Sequence, residues 1–338
     1  MISALLTGAG GAAARNVALS LRDGIEPYRL IGVDRDVRFL ASAPVDERIP
    51  MPPVTAPDYM DRLEALVAEY SVDVVHPQPD VEVQALAGSG LPHGLPDPEV
   101  IRICADKALT NTVLANAGVP VPRAVSPSDG ALDDAWRLLD VEGPLWLRAT
   151  QGAGAKASLP VETGEEVRTW IAYWLRRGLT TEDFMISELL PGNEYAVQML
   201  FWNGDLVGAQ GRQRLEYLFG YLTPSGQTSS PSVARISNRS DLYDVGLATV
   251  RALSDRPHGV FSVDMKCDGV DTPKVTEVNA GRFFTTSYFL TCVGANFPDL
   301  LCRLVAGREI TPLGVAPVPE DGRVWVRSVD MLPGLVDG

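Results

Sequence analysis

Gly259-Val260-Phe261-Ser262-Val263-Asp264-Met265-Lys266, a turn from Cys267 to Thr272, and Pro273-Lys274-Val275-Thr276-Glu277-Val278-Asn279 form the stretch that decides how this chain folds. Alternating apolar and polar side chains mark two strands. Phe261, Val263 and Met265 fall on one face and Asp264 on the other, while Glu277 and Asn279, two apart, share a face. Pairing around a four-residue turn at 269–272 sets Asp264 opposite Glu277. Two carboxylates and an amide oxygen on one sheet face suit Mg²⁺, with Mn²⁺ as a substitute, because such ions take hard oxygen ligands and keep positions for water and phosphate. The plain alternative is a hairpin edge with its charges in water, which accounts for Asp264 alone but not for the three together.

Working outward, Phe184-Met185-Ile186-Ser187-Glu188-Leu189-Leu190-Pro191-Gly192-Asn193-Glu194-Tyr195 reads as a strand, a sharp hinge and another strand. Such a hinge offers backbone groups to a purine: a carbonyl near Glu188–Leu189 for the exocyclic amine and the Leu190 N–H for a ring nitrogen. Pro191 has no N–H to give. Glu194 is placed to accept from two ribose hydroxyls; a Pro-Gly hairpin with two solvated glutamates is the competing reading. A triphosphate also needs cations. Lys107 near a helix start, Arg148 at the end of a strand, and the loop containing Gly152, Gly154 and Lys156 are the candidates. Arg212 and Arg214, two apart on a strand, and Arg282 just past Asn279 are candidates for a substrate carboxylate or a developing acyl phosphate. Isolated arginines otherwise belong to the surface.

The amino-terminal segment opens as βαβ: a strand at 2–7, a glycine-rich turn, a helix through Arg22, and a strand ending at Asp34. Gly8-Ala9-Gly10-Gly11-Ala12-Ala13 followed by Asp34 admits a dinucleotide reading, hence an NAD-dependent oxidoreductase, or simply a tight turn that packs helix on strand. Leu63, Leu66, Val67 and Tyr70 mark a helix at about 58–70, a short strand follows at 72–75, and the Pro- and Gly-dense residues 91–98 look like the exit of this first unit. Further helices are expected at about 106–117, 240–254 and 296–306, and strands at 184–187, 194–201 and 205–210.

Composition narrows the function classes. With 338 residues, 46% hydrophobic and 21% charged, the chain is an ordinary globular protein of two or three packed units. A net charge of −14 argues against nucleic acid or an anionic membrane as main partner. The start of the chain lacks a signal-peptide pattern, no run is long enough to span a membrane, and four scattered cysteines form no CxxC, so a reduced cytoplasmic compartment is expected.

Taken in order, Asp106-Lys107 through Gly118-Val119-Pro120-Val121-Pro122, Leu147-Arg148 with the Gly152–Gly154 loop, Glu188 through Glu194, and Asp264 through Asn279 resemble the ATP-grasp superfamily. The resemblance is particularly to the branch of carbamoyl-phosphate synthase large subunits, biotin carboxylases and pyrrolysine-biosynthesis-type ligases. The resemblance implies an α/β fold of the α+β ATP-grasp kind: a Rossmann-like unit at 1–96, a small ATP-grasp subdomain with helical linker at 97–187, and a large one at 188–338, the latter two clamping ATP. It implies that Lys107 and Arg148 contact phosphates, that the 150–156 loop with Lys156 closes over the γ-phosphate, that Glu188, Leu189, Leu190 and Glu194 hold adenosine, and that Asp264, Glu277 and Asn279 hold the metals. The family's E-x-N-x-R is here Glu277-Val278-Asn279-Ala280-Gly281-Arg282, with the arginine one residue late. The implied activity is an ADP-forming, Mg²⁺-dependent ligase joining a small-molecule carboxylate to an amine. A non-catalytic ATP-binding module is a further alternative, and a homodimer is left open.

Overall fold

The computed structural model describes residues 1–126, 134–152, 155, 157–228 and 230–329, and the backbone of Gly334–Val336. Three sheets follow one another along the chain. The first comprises β1 (Ile2–Thr7), α1 (Ala12–Arg22), β2 (Tyr28–Asp34), α2 (Val37–Leu40), β3 (Glu47–Pro50), α3 (Tyr59–Glu69), β4 (Val74–His76) and α4 (Asp80–Leu86). Its strands are all parallel, in the order β3-β2-β1-β4. Helical crossovers supply the connections that parallel strands require, and the continuous apolar runs Ala4-Leu5-Leu6 and Leu30-Ile31 are buried as such crossovers demand.

The glycine-rich turn after β1 is filled by its own surroundings. A Cβ at Gly8, whose φ is +59°, would lie 2.4 Å from Pro79, and one at Gly10 would lie 2.7 Å from Phe39. The Gly10 amide donates to the Asp34 carboxylate at 2.9 Å. The acid that a dinucleotide would need for its ribose is therefore spent on closing the turn, and the packing reading of these glycines prevails over the cofactor reading.

Two helices, α5 (Pro98–Ala105) and α6 (Lys107–Asn116), bridge to the second sheet. Asp106 ends the first and caps the second, accepting from the amides of Ala108 and Leu109, which makes Lys107 the first helical residue. The second sheet is antiparallel, in the order β5-β8-β6-β7, built from β5 (Ala124–Val125), α7 (Ala135–Leu139), β6 (Leu145–Ala149), β7 (Leu159–Val161), α8 (Gly164–Leu175) and β8 (Phe184–Glu188). Alternation along β6 sends Leu145, Leu147 and Ala149 into a core with Val167, Ile171, Phe184 and Ile186, and leaves Trp146 and Arg148 on the opposite face.

The third sheet contains β9 (Glu194–Trp202), β10 (Asp205–Tyr217), β11 (Pro231–Ser237), α9 (Ser240–Leu253), β12 (Gly259–Cys267), β13 (Pro273–Ala280), α10 (Tyr288–Cys292), α11 (Phe297–Val305), β14 (Gly314–Val315), β15 (Val324–Val326) and β16 (Gly334–Val336). The strand order is β13-β12-β9-β10-β11-β15-β16, with β14 beside β10. The strand expected at 205–210 runs on to Tyr217, and that extension carries Arg212 and Arg214 onto the sheet. Among the described residues no helix is long and apolar enough to cross a membrane, and all four cysteines are free.

Candidate active site

A cleft opens between the second and third sheets. It is lined from one side by Lys107, Trp146, Arg148, Met185 and Ser187, from the hinge by Glu188, Leu189 and Leu190, and from the third sheet by Glu194, Arg212, Arg214, Asp264, Lys266, Glu277, Asn279 and Arg282. Strand register explains the third-sheet floor. Glu277 pairs with Asp264, Asp264 with Ala196, and Ala196 with Arg212, so these four positions form one row across β13, β12, β9 and β10. The next row is Asn279, Ser262 and Gln198; on the other side Lys266 pairs with Glu194 and Glu194 with Arg214. Because side chains at i and i+2 share a face, period-two alternation in three strands yields one polar floor.

The Asp264–Glu277 pairing comes about by another route than the expected turn. Cys267 pairs with Pro273, so the connection is the five residues 268–272, and a bulge between Asp264 and Met265 leaves Thr276 without a partner in the ladder. The bulge resets the alternation of β13: Glu277 and Asn279 both reach the cleft while Val278 stays buried, and Lys274 bonds the hinge residue Glu188. It also frees the Thr276 carbonyl, which accepts from Arg148 Nη1 at 3.2 Å.

Both carboxylates are engaged by cations. Glu277 lies 3.1 Å from Arg148 Nη2 and 3.5 Å from Lys107 Nζ. Burial alone would raise the Glu277 carboxyl, but the charges of Lys107, Arg148 and Arg282 outweigh it and hold it at about 2. Lys107 is itself buried, which pushes its ammonium down against the pull of Glu277; it also donates to the Gly152 carbonyl at 2.8 Å. Asp264 accepts from Arg214 Nη2 at 2.6 Å. Three guanidinium Nε atoms here, of Arg148, Arg212 and Arg214, are buried with no hydrogen-bond partner among the described residues. Such a donor surplus fits an anion with several oxygens.

Among the described residues no three His, Cys, Asp or Glu side chains form a metal cluster. The expected set is two carboxylates and an amide, and Asn279 Oδ1 already accepts a short bond from Arg282. Two opposed carboxylates, Asp264 and Glu277, are hard oxygen donors of the kind Mg²⁺ takes and would hold it.

Neither glutamate of the hinge is free. Glu188 accepts from Lys274 Nζ at 2.7 Å and from the Arg123 amide at 3.0 Å. Glu194 Oε1 accepts from Lys266 at 2.9 Å and Gln227 at 2.6 Å, and Oε2 takes a short bond from Tyr217. Burial would raise the Glu194 carboxyl, yet Lys266 turns the balance downward. Since a carboxylate offers about four acceptor positions, one remains for a ribose hydroxyl where the sequence suggests two. The amides of Leu189 and Leu190 have no acceptor among the described residues. Met185, Leu190, Met265 and Val275 give this end of the cleft apolar walls.

Arg212 is more deeply placed than a surface arginine: it is buried, stacks 3.7 Å from the centre of the Phe284 ring, and donates a short bond to Thr286 Oγ1. Burial pulls its guanidinium well below the usual arginine range. Arg282 bonds Asp80 through Nε at 2.8 Å. Gly154 and Lys156 lie outside the described residues. Lys266, Lys274, Tyr217 and Gln227 line or brace the cleft and are absent from the sequence-based candidates; strand alternation from Asp264 would have flagged Lys266, whereas nothing local points to Gln227.

No family model matches the chain, nor does any curated protein sequence. Solved structures do. An L-amino acid ligase from Bacillus licheniformis superposes with a TM-score of 0.69 at 14% identity over 96% of this chain and 79% of its own. The biotin carboxylase domain of Hydrogenobacter thermophilus 2-oxoglutarate carboxylase, in complex with MgADP and bicarbonate, gives 0.71 at 16% identity over 96% and 74%. The D-alanine-D-alanine ligase from Coxiella burnetii gives 0.63 at 19% identity over 91% and 96%. All three are ATP-grasp enzymes. This chain has the ATP-grasp fold. Its sheets are a parallel first sheet, an antiparallel second sheet and a third sheet that is antiparallel except where β14 joins β10.

Proposed function

We propose that the protein is an ATP- and Mg²⁺-dependent, ADP-forming ligase that activates a small-molecule carboxylate as an acyl phosphate and couples it to an amine. The observation that carries this reading is the meeting of Lys107, Arg148, Glu277 and Asp264, from four separate elements, in one cleft between the second and third sheets. The apolar walls at Met185, Leu190, Met265 and Val275 suit a purine, with the Leu190 N–H and a hinge carbonyl to read its edge. Lys107 and Arg148 would take the phosphates, exchanging part of their contact with Glu277 for phosphate oxygens. Mg²⁺, held by Asp264 and Glu277, would neutralise charge on the β- and γ-phosphates.

Arg282 lines the cleft past the carboxylate row, on the side away from Glu194; Arg212 is the deepest cation of that row, and Arg214, from the Glu194 row, reaches Asp264. There a substrate carboxylate oxygen would attack the γ-phosphorus while the bond to the ADP oxygen breaks. The amine nitrogen would then attack the acyl carbon, phosphate would leave and the nitrogen would lose a proton. The chain contributes positioning and charge neutralisation to both steps. The test is a matrix of carboxylates and amines scored for ADP release. Release that needs one member of each class supports a ligase; nucleotide binding with no turnover for any pair supports a non-catalytic ATP-binding module.

A further inference from the structure

We propose that Gln78 and Asp80, at the carboxyl end of the parallel amino-terminal sheet, are positioning residues for the anion-binding end of the cleft: they hold residues 282–286, which carry Arg282 and support Arg212. The proposal builds on the ligase reading above and gives the first sheet a role there.

The segment after β13 is pinned from three directions. Ser262 Oγ donates to the Arg282 carbonyl at 3.1 Å. The Phe284 amide donates to the buried Gln198 side chain at 2.8 Å. From the first sheet, Gln78 Nε2 donates to the Phe283 carbonyl at 2.9 Å, and Asp80 holds Arg282 Nε at 2.8 Å. What this segment presents to the cleft is the Phe284 ring under Arg212, the Thr286 hydroxyl bonded to Arg212, and the Arg282 side chain, which also bonds Asn279.

Gln78 is itself fixed. Its Oε1 meets His76 Nε2 at 2.9 Å, and because its Nε2 is committed to the Phe283 carbonyl, the histidine must carry its proton on Nε2. Burial lowers His76 to about 4, so the relay keeps one protonation state at neutral pH. The late arginine falls into place as well. Gly281, at φ +84°, turns the chain out of β13 against Val83 and Leu95, each 2.9 Å from where a Cβ would sit, and so aims Arg282 at Asp80. Of the two connections, that from Asp80 ends on Arg282 itself, and that from Gln78 ends on the residue before Phe284, whose ring underlies Arg212. Neither Gln78 nor Asp80 lines the cleft, which is why they position and do not bind.

The test uses Gln78→Leu, Asp80→Asn and the conservative Asp80→Glu in the full chain. Affinity for MgADP and, with MgADP present, for inorganic phosphate is measured by calorimetry, and hydrogen exchange is followed for residues 281–287. Expected are phosphate binding weakened about tenfold in Gln78→Leu and Asp80→Asn, MgADP binding within about twofold of the native protein, faster exchange across 281–287, and partial recovery in Asp80→Glu. Unchanged phosphate affinity and unchanged exchange in folded Gln78→Leu and Asp80→Asn would overturn the proposal. Equal losses for phosphate and MgADP would also overturn it, since a general structural defect gives that pattern. Failure of the native protein to bind MgADP would refute the ligase reading alone, and exchange across 281–287 would still decide the positioning role.

Discussion

Replacing Glu277 by Gln removes one charge and keeps the shape, and its effects follow from the contacts of this side chain. Lowering the carboxyl from 4.5 to about 2 corresponds to roughly 3 kcal/mol favouring the ionised form, at 1.36 kcal/mol per tenfold. That stabilisation is present above the unfolded value near 4.5 and is lost as pH falls through about 2. Glu277→Gln should therefore be less stable than the native protein by up to about 3 kcal/mol at pH 7, with the gap narrowing below pH 4.5. Urea unfolding at pH 7 and at pH 3.5 measures it. The same substitution frees Lys107 and Arg148 from their counter-charge, so ATP in EDTA should bind up to about tenfold more tightly. Mg²⁺-dependent ADP formation should fall on the order of 100-fold. A variant as stable as the native protein, with unchanged metal-free ATP affinity and near-normal turnover, would refute the reasoning.

Three further outcomes are expected. Arg214→Ala leaves the half-buried Asp264 without its 2.6 Å partner and should cost about 3 kcal/mol; 10 mM Mg²⁺, on the order used for weak sites, should raise the Tm of this variant more than that of the native protein if Asp264 is a metal ligand. Gly281→Ala, at φ +84° with Val83 and Leu95 in the way, should lose about 1–3 kcal/mol in chemical denaturation. His76 is held down to about 4 by burial, so its contribution to stability is complete above pH 6.5 and is lost as pH falls toward 4; the decline in Tm over that interval should be blunted in His76→Asn.

The sequence was most informative where period-two alternation and punctuation act locally. The βαβ opening, the helix capped by Asp106, the hinge at Pro191-Gly192 and the Asp264–Glu277 hairpin all declare themselves within a few residues. Even there the correct carboxylate pair rests on a five-residue connection plus a bulge at Thr276, two deviations that cancel. What escaped were contacts set by strand order: Lys266 on Glu194, Lys274 on Glu188, and Gln227 and Tyr217 on Glu194. These partners lie 23 to 86 positions apart, and no periodicity reports which strand is a neighbour. Arg212 likewise reads as any strand arginine until Phe284 and Thr286 are placed beside it.

The most direct test of the account is calorimetric titration of MgATP and of NADH into the native protein and Arg148→Ala. Arg148 sits across the cleft from Glu277, bonded to both its carboxylate and the Thr276 carbonyl, and would meet the phosphates. MgATP should bind one-to-one to the native protein and at least about tenfold more weakly to Arg148→Ala, with no saturable heat from NADH in either. Saturable NADH binding without MgATP binding, or MgATP affinity indifferent to Arg148, would contradict it.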